Sequence, residues 1–185
     1  MVSEKSDRVL KAIEKESERS YLPIIGPERG KILAEIVRKI NPQRVLEVGG
    51  LVGYSTILMG RELENGAEIF SIEIDEDETE AAKQNIRDAG IKPEVHVLVG
   101  DASDLIPKIN GRLDLVFLDA DKHEYLHHLQ LVEGKLHKGS TIVADNAGIA
   151  AYSMSNYLNY VRKSGKYESH YVAVGNDGLE VSIKL

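Results

Sequence analysis

The sequence predicts a doubly wound, Rossmann-like α/β sheet, mostly parallel, with helices on both faces and an antiparallel C-terminal hairpin. Three observations predict it. Five short apolar runs recur along the chain: RVLEV (44–48), EIFSIEI (68–74), VHVLV (95–99), LDLVFL (113–118) and STIVA (140–144). They are nearly continuous in apolar residues, as parallel strands covered on both faces are. Helical patterns fill the intervals near 53–63, 76–89, 102–109, 121–135 and 150–164, and such alternation specifies an α/β sheet.

Taken in order, two helices precede the first strand, near 3–19 and 27–40. Pro27 suits a first helical position and leads into ERGKILAEIVRKI, whose apolar residues at 32, 33, 36, 37 and 40 share a face. Residues 1–25 are expected as a helical extension of a single domain spanning 1–185. Asp75 with Glu78, and Asp121 with Glu124, each have the spacing of a capping box that opens a helix. The tail, YVAVG followed by GLEVSIKL, reads as two strands joined around Asn176-Asp177-Gly178.

At 185 residues the chain is long enough to bury a proper core. Its 42% hydrophobic and 29% charged residues are ordinary for a soluble globular protein. No apolar run approaches the roughly 18–20 residues that span a bilayer, so no membrane partner is expected. The opening MVSEKSDRVLKAIEKESERS is charged throughout and lacks a signal-peptide core. A cytoplasmic location is the expectation. With no cysteine, any metal must take oxygen or imidazole ligands. The net charge of −7 argues against generic nucleic-acid binding. The first 45 residues nevertheless hold ten Lys/Arg against seven Asp/Glu, which keeps an RNA substrate open.

In an open α/β sheet, ligands sit beyond the carboxyl ends of the strands. The first strand ends in Glu47-Val48-Gly49-Gly50-Leu51-Val52-Gly53. Glycines allow a tight turn and close approach of a ligand to the backbone. The spacing misses the dinucleotide fingerprint, whose second glycine would fall on Leu51. A sulfonium ligand makes no such demand, and the Glu47 carboxylate suits its ammonium group. The second strand ends at Glu73, placed to accept hydrogen bonds from ribose hydroxyls, while Asp75 is the helix cap. The third runs into Gly100-Asp101-Ala102, opposite an adenine edge. Three such features in order point to an adenosine-containing cofactor.

The fourth strand runs into Asp119-Ala120-Asp121-Lys122 and the fifth into Asp145-Asn146. If those strands are neighbours, Asp119, Asp145 and Asn146 converge beside the cofactor. Three oxygen donors suit a hard cation such as Mg²⁺, and two facing carboxylates without one would repel. Singly, Asp119 or Asp145 is equally well a turn or cap residue, although Asp121 already fills the cap role. Lys122 lies in the first turn of a helix, against the helix dipole. Beside a dication its neutral form is favoured, which suits a general base. His123 and His127 have i, i+4 spacing without the glutamate of a zinc enzyme, and His123, His127 and His128 are read as surface or packing residues. Tyr152, Tyr157, Tyr160, Tyr167 and Tyr171 are core and surface packing or a wall against substrate.

These residues resemble the metal-dependent O-methyltransferases of the catechol and caffeoyl-CoA type. VLEVGGLVGYSTILM is similar to the family's first cofactor motif, and FSIEID, LVGDASDLIP, LDLVFLDADKHEY and IVADNAG follow in its order. The resemblance covers Ile25 to Gly148, with an echo in Asp177-Gly178-Leu179. It implies that Glu47, Gly49 and Ser55 hold the methionine part of S-adenosylmethionine, with backbone help near Ile25. Glu73 would bind the ribose, and Asp101 with Ala102 would flank the adenine. Asp119, Asp145 and Asn146 would bind a divalent metal, Mg²⁺ by chemistry, with Asp119 also near the cofactor; Lys122 matches the catalytic lysine.

The implied activity is methylation of a hydroxyl on a small, catechol-like or vicinal-diol acceptor. The alternative is a hydroxylated wobble uridine in tRNA, with Arg29, Lys31, Arg38 and Lys39 as the basic contacts. After Asp145-Asn146 the chain reads AGIAAYSMSNYLN, without the tryptophan-bearing loop of the plant members. No match exists for the acidic residue that grips a catechol ring, so the pocket is expected to be more open or completed by a second subunit in a homodimer.

Overall fold

The computed structural model describes residues 2–185, with side chains from Glu4 onward. The five apolar runs form β1 (Arg44–Val48), β2 (Glu68–Glu73), β3 (Glu94–Val99), β4 (Leu113–Leu118) and β5 (Leu136–Ala144). The tail adds β6 (Tyr167–Val174) and β7 (Asp177–Lys184). The sheet order is β3-β2-β1-β4-β5-β7-β6, parallel through β5 and antiparallel at β7 and β6.

Strand side chains alternate between two cores. Val45, Leu115, Phe117 and Val143 face one, and Leu46, Val116, Leu118 and Ile142 face the other. All eight are fully buried, each stabilising the fold by about 1.5–3 kcal/mol relative to exposure. The first core is closed by α1 (Val2–Ser17), α2 (Gly26–Ile40), α3 (Tyr54–Glu62) and α4 (Glu76–Ala89), through Leu10, Leu33, Ile57 and Ala89. The second is closed by α5 (Ala102–Leu105), α6 (Tyr125–Val132) and α7 (Ser155–Lys163), through Ala102, Tyr125, Leu129 and Tyr157. Among the described residues no helix is long and apolar enough to cross a membrane.

Asp75 caps α4 as its spacing predicts, accepting from the Glu78 N–H at 3.0 Å. At Asp121 the outcome differs. Its carboxylate accepts from the His123 N–H at 2.9 Å and opens a single 3-10 turn over 122–124, after which α6 begins. The predicted helix over 102–109 likewise divides into α5 and a 3-10 turn at Ile106–Lys108. The helix expected from 150 starts only at Ser155. Asn146 has φ 59°, and the Asp177 carboxylate accepts from both Gly148 and Ile149 N–H groups at 3.0 Å. Those amides are tied to β7, so the chain winds through turns to Met154 before a helix can start. β5 begins at Leu136 rather than 140, because the half-exposed His137 and exposed Lys138 and Gly139 hide its start from an apolar pattern.

Candidate active site

The strand order reverses between β1 and β4, and there the two strand ends diverge into helices on opposite faces. Gly49 leaves β1 with φ 95°, and an added Cβ would run into the Asp119 carbonyl oxygen at the end of β4. That contact requires glycine twice, by conformation and by space. The turn is completed by Leu51, left-handed at φ 46°, whose N–H donates to Glu73 Oε2 at 2.8 Å. Above it lies a cavity of about 510 Å³, walled by Ile25, Gly49, Ser55, Glu73, Asp101, Ala102 and Asp119. Seven of the eight residues expected at the cofactor thus share one cavity.

Glu47, the eighth, lies below its floor. It is fully buried and accepts from Ser55 Oγ at 2.5 Å, from Ser71 Oγ at 2.6 Å and from the Thr56 hydroxyl. Burial raises its carboxyl above the ordinary range, and the three hydroxyls partly offset that. Its observed partners are these hydroxyls, one of which, on Ser55, lines the cavity. Glu73 is anchored through Oε1 by the Ile74 and Asp75 N–H groups at 2.7 and 3.1 Å, which fixes its Oε2 edge. Asp101 caps α5, accepting from the Ser103 N–H at 2.7 Å, and that donation holds its carboxyl below the usual range.

β4 pairs with β5 so that Leu118 faces Ala144, and the next residues, Asp119 and Asp145, emerge side by side. Burial raises the Asp119 carboxyl despite Lys122 nearby. Burial, then the Asp119 charge, push Asp145 up to about 7. Asp145 Oδ1 is buried without a hydrogen-bond partner, an arrangement that costs about 1–3 kcal/mol if nothing else engages it. Asn146 donates its amide to Asp177 Oδ2 at 2.8 Å, so its own carbonyl oxygen is left as an acceptor. An orphaned carboxylate oxygen, a second carboxylate and an amide oxygen are the donor set of a hard divalent cation, so these residues fit one.

Lys122 reaches across the 3-10 turn. Its Nζ donates to Asp119 Oδ1 at 2.9 Å and to the Tyr125 hydroxyl at 2.7 Å. Tyr125 is fully buried, stacks edge-on against Tyr157 at 5.8 Å, and keeps its proton: burial and the charges of Asp119 and Asp145 raise its phenol well above the ordinary range.

Four of these placements escaped sequence reasoning. Tyr125 carried no assignment from the sequence, yet it fixes Lys122. Asp177 read as a hairpin turn, yet it opens β7 beside the end of β5 and orients Asn146. Burial alone would raise its carboxyl, but donation by Asn146 and by the Ile149, Gly178 and Gly148 N–H groups holds it below the usual range. Arg29 read as a nucleic-acid contact; its guanidinium instead lies 3.3 Å from Asp145 Oδ1 and donates to Asp177. A basic residue in a first helical turn was the available signal, the same that singled out Lys122. His128 read as packing; it is buried, lines the cavity, and burial lowers its imidazole. Of the five tyrosines, Tyr157 and Tyr167 are buried and Tyr160 is bound to Glu133 at 2.7 Å, while Tyr152 and Tyr171 are exposed.

Residues 1–160 match the family described as O-methyltransferase. The chain belongs to that family. It is therefore an S-adenosylmethionine-dependent O-methyltransferase, as its motifs imply. It is 37% identical over 180 residues to catechol O-methyltransferase B of Danio rerio, covering 90% of this chain and 67% of that one. It is 34% identical to catechol O-methyltransferase of Sus scrofa, covering 86% and 91%. A crystal structure of a putative O-methyltransferase from Klebsiella pneumoniae superposes with TM-score 0.86 at 26% identity, covering 95% and 89%. The tRNA expectation gains nothing from these relatives. Two of its four basic residues are engaged internally, Arg29 as above and Arg38 with Glu62 at 2.8 Å.

Proposed function

We propose that this methyltransferase is divalent-metal-dependent and methylates one hydroxyl of a small vicinal-diol aromatic acceptor. The observation that carries the metal reading is Asp145 Oδ1, buried and without a hydrogen bond, at the end of the strand next to the one that delivers Asp119 to the cofactor cavity. The relatives named above act, by their names, on catechol, which supports the acceptor class. When bound, the cofactor supplies an electrophilic methyl group and the cation supplies charge that acidifies a hydroxyl.

The chain's own residues do the rest. Ser55, Glu73 and Ala102 hold the cofactor along the cavity, with Gly49 giving it close access to the backbone. Asp119 faces both the cofactor and the metal side. Asp119, Asp145 and Asn146 would hold the metal. Lys122, held between Asp119 and Tyr125, takes the acceptor's proton at Nζ from its neutral form, which a dication beside it would favour. Positioning two reactants in this cleft contributes several kcal/mol more. Exposed Tyr152 and Ile149 flank the Asn146 turn and supply an open apolar rim for an aromatic ring.

The test is methylation of catechol-like diols with Mg²⁺ and S-adenosylmethionine. Activity lost with EDTA, restored by Mg²⁺ and abolished in Asp145→Ala is expected; EDTA-insensitive turnover would sink the metal reading.

A further inference from the structure

Besides Lys122, a second cation is built into the metal side of the site. Arg29, in the first turn of α2, has three partners. Its Nε donates to the Ile25 carbonyl at 3.1 Å, its guanidinium donates to Asp177, and Nε lies 3.3 Å from Asp145 Oδ1. That oxygen is the one left buried without a hydrogen bond. The Arg29 charge and a divalent ion would therefore both lie against the same atom, although the Nε hydrogen itself goes to Ile25. The side chain is only 18% exposed, so water screens the pair weakly. Around this point stand three carboxylates, Asp119, Asp145 and Asp177, and two cations, Lys122 and Arg29. The local charge is −1 with Arg29 present, and would be −2 without it.

We infer that Arg29 is an internal counter-cation that competes with the divalent metal for Asp145 and so sets the metal affinity of the site. The inference rests on the metal reading above. Arg29 is a positioning residue: it holds Asp145 and Asp177 together in the metal-free chain and yields Asp145 when metal arrives. Asp177 stays available to the guanidinium, because it is not a predicted ligand. A ligand gains affinity when the group it must displace is removed, and loses it when a scaffold is removed. The sign of the effect therefore separates the two roles.

The experiment titrates the full chain with Mn²⁺, followed by electron paramagnetic resonance of the free ion and by calorimetry. Wild type, Arg29→Gln and Arg29→Lys are compared at pH 8. A partly buried ion pair at 3.3 Å sets the scale, about tenfold or more in affinity. Arg29→Gln is expected to bind Mn²⁺ about tenfold more tightly than wild type. Arg29→Lys, a point charge without the planar fork, is expected to fall between. Thermal melts supply a second reading: Arg29→Gln lowers the metal-free midpoint yet enlarges the upward shift on adding Mn²⁺. Equal or weaker Mn²⁺ binding in Arg29→Gln, with wild type binding normally, overturns the role of Arg29 alone. Wild type that binds no Mn²⁺ overturns the metal reading and this inference with it.

Discussion

Asp145 is a side chain whose removal is expected to stabilise the metal-free protein. It is 1% exposed, and its titration moves from the ordinary 3.8 to about 7. Holding it ionised at pH 8 therefore costs the fold about 4 kcal/mol. Asparagine has the same shape and no charge. Asp145→Asn gives up the 3.3 Å approach of Arg29, so about 2–4 kcal/mol should survive. In a chain of this length that raises the metal-free midpoint by roughly 5–15 °C. The pH dependence has a definite sign. A carboxyl raised in the folded state contributes stability at low pH and loses it as pH rises toward its folded value. The advantage of Asp145→Asn should thus be full above pH 7, less than about half at pH 5, and gone below pH 4. The assay is thermal or urea unfolding of both proteins in chelator across that range, repeated with saturating Mn²⁺. Metal should raise wild type strongly and the variant little. An Asp145→Asn protein less stable than wild type at pH 8, or a gap that does not change with pH, would refute the reasoning.

Gly49→Ala must hold alanine at φ 95° against the Asp119 carbonyl. It should cost at least about 2 kcal/mol and weaken S-adenosylhomocysteine binding measured by calorimetry. Tyr125→Phe keeps the packing against Tyr157 but removes the 2.7 Å partner of Lys122. It should lower kcat about tenfold with KM and the unfolding midpoint nearly unchanged. Thr56→Val removes one hydroxyl donor from buried Glu47, costing about 1–3 kcal/mol. Because the remaining environment raises that carboxyl further, the loss should be larger at pH 8 than at pH 5 in urea unfolding.

β1, β2 and β4 and the second half of β5 were legible because they are largely buried on both faces, so their residues are apolar in succession; β3, a half-exposed edge strand, was legible from its valines and leucine alone. Asp119 and Asp145 were legible for a related reason: each follows directly on such a run, and adjacent runs must end together. What stayed hidden lies in contacts between distant elements. Arg29 and Asp177 are 148 positions apart, and nothing local to either names the other. The turns over 145–154 also needed Asp177, since a remote carboxylate holds the amides that would otherwise join a helix. Tyr125 is apolar enough to satisfy a core pattern, and only its hydroxyl carries its second task. Glu47 fitted a ligand contact by position; the three hydroxyls around it come from α3 and β2, a convergence no spacing displays.

The placement of β7 between β5 and β6 has a kinetic consequence. The cofactor cavity draws on the segment before α2, on α3 to α6 and on the ends of β1 to β4, pieces that can pair as they leave the ribosome in order. The metal side cannot: Asp177, which accepts from both Asn146 and Arg29, arrives with the last strand. Closing that long loop is slow by topology. A nascent chain would thus acquire its grip on the cofactor first and its chemistry last, so that methyl transfer reports on complete folding while cofactor binding does not.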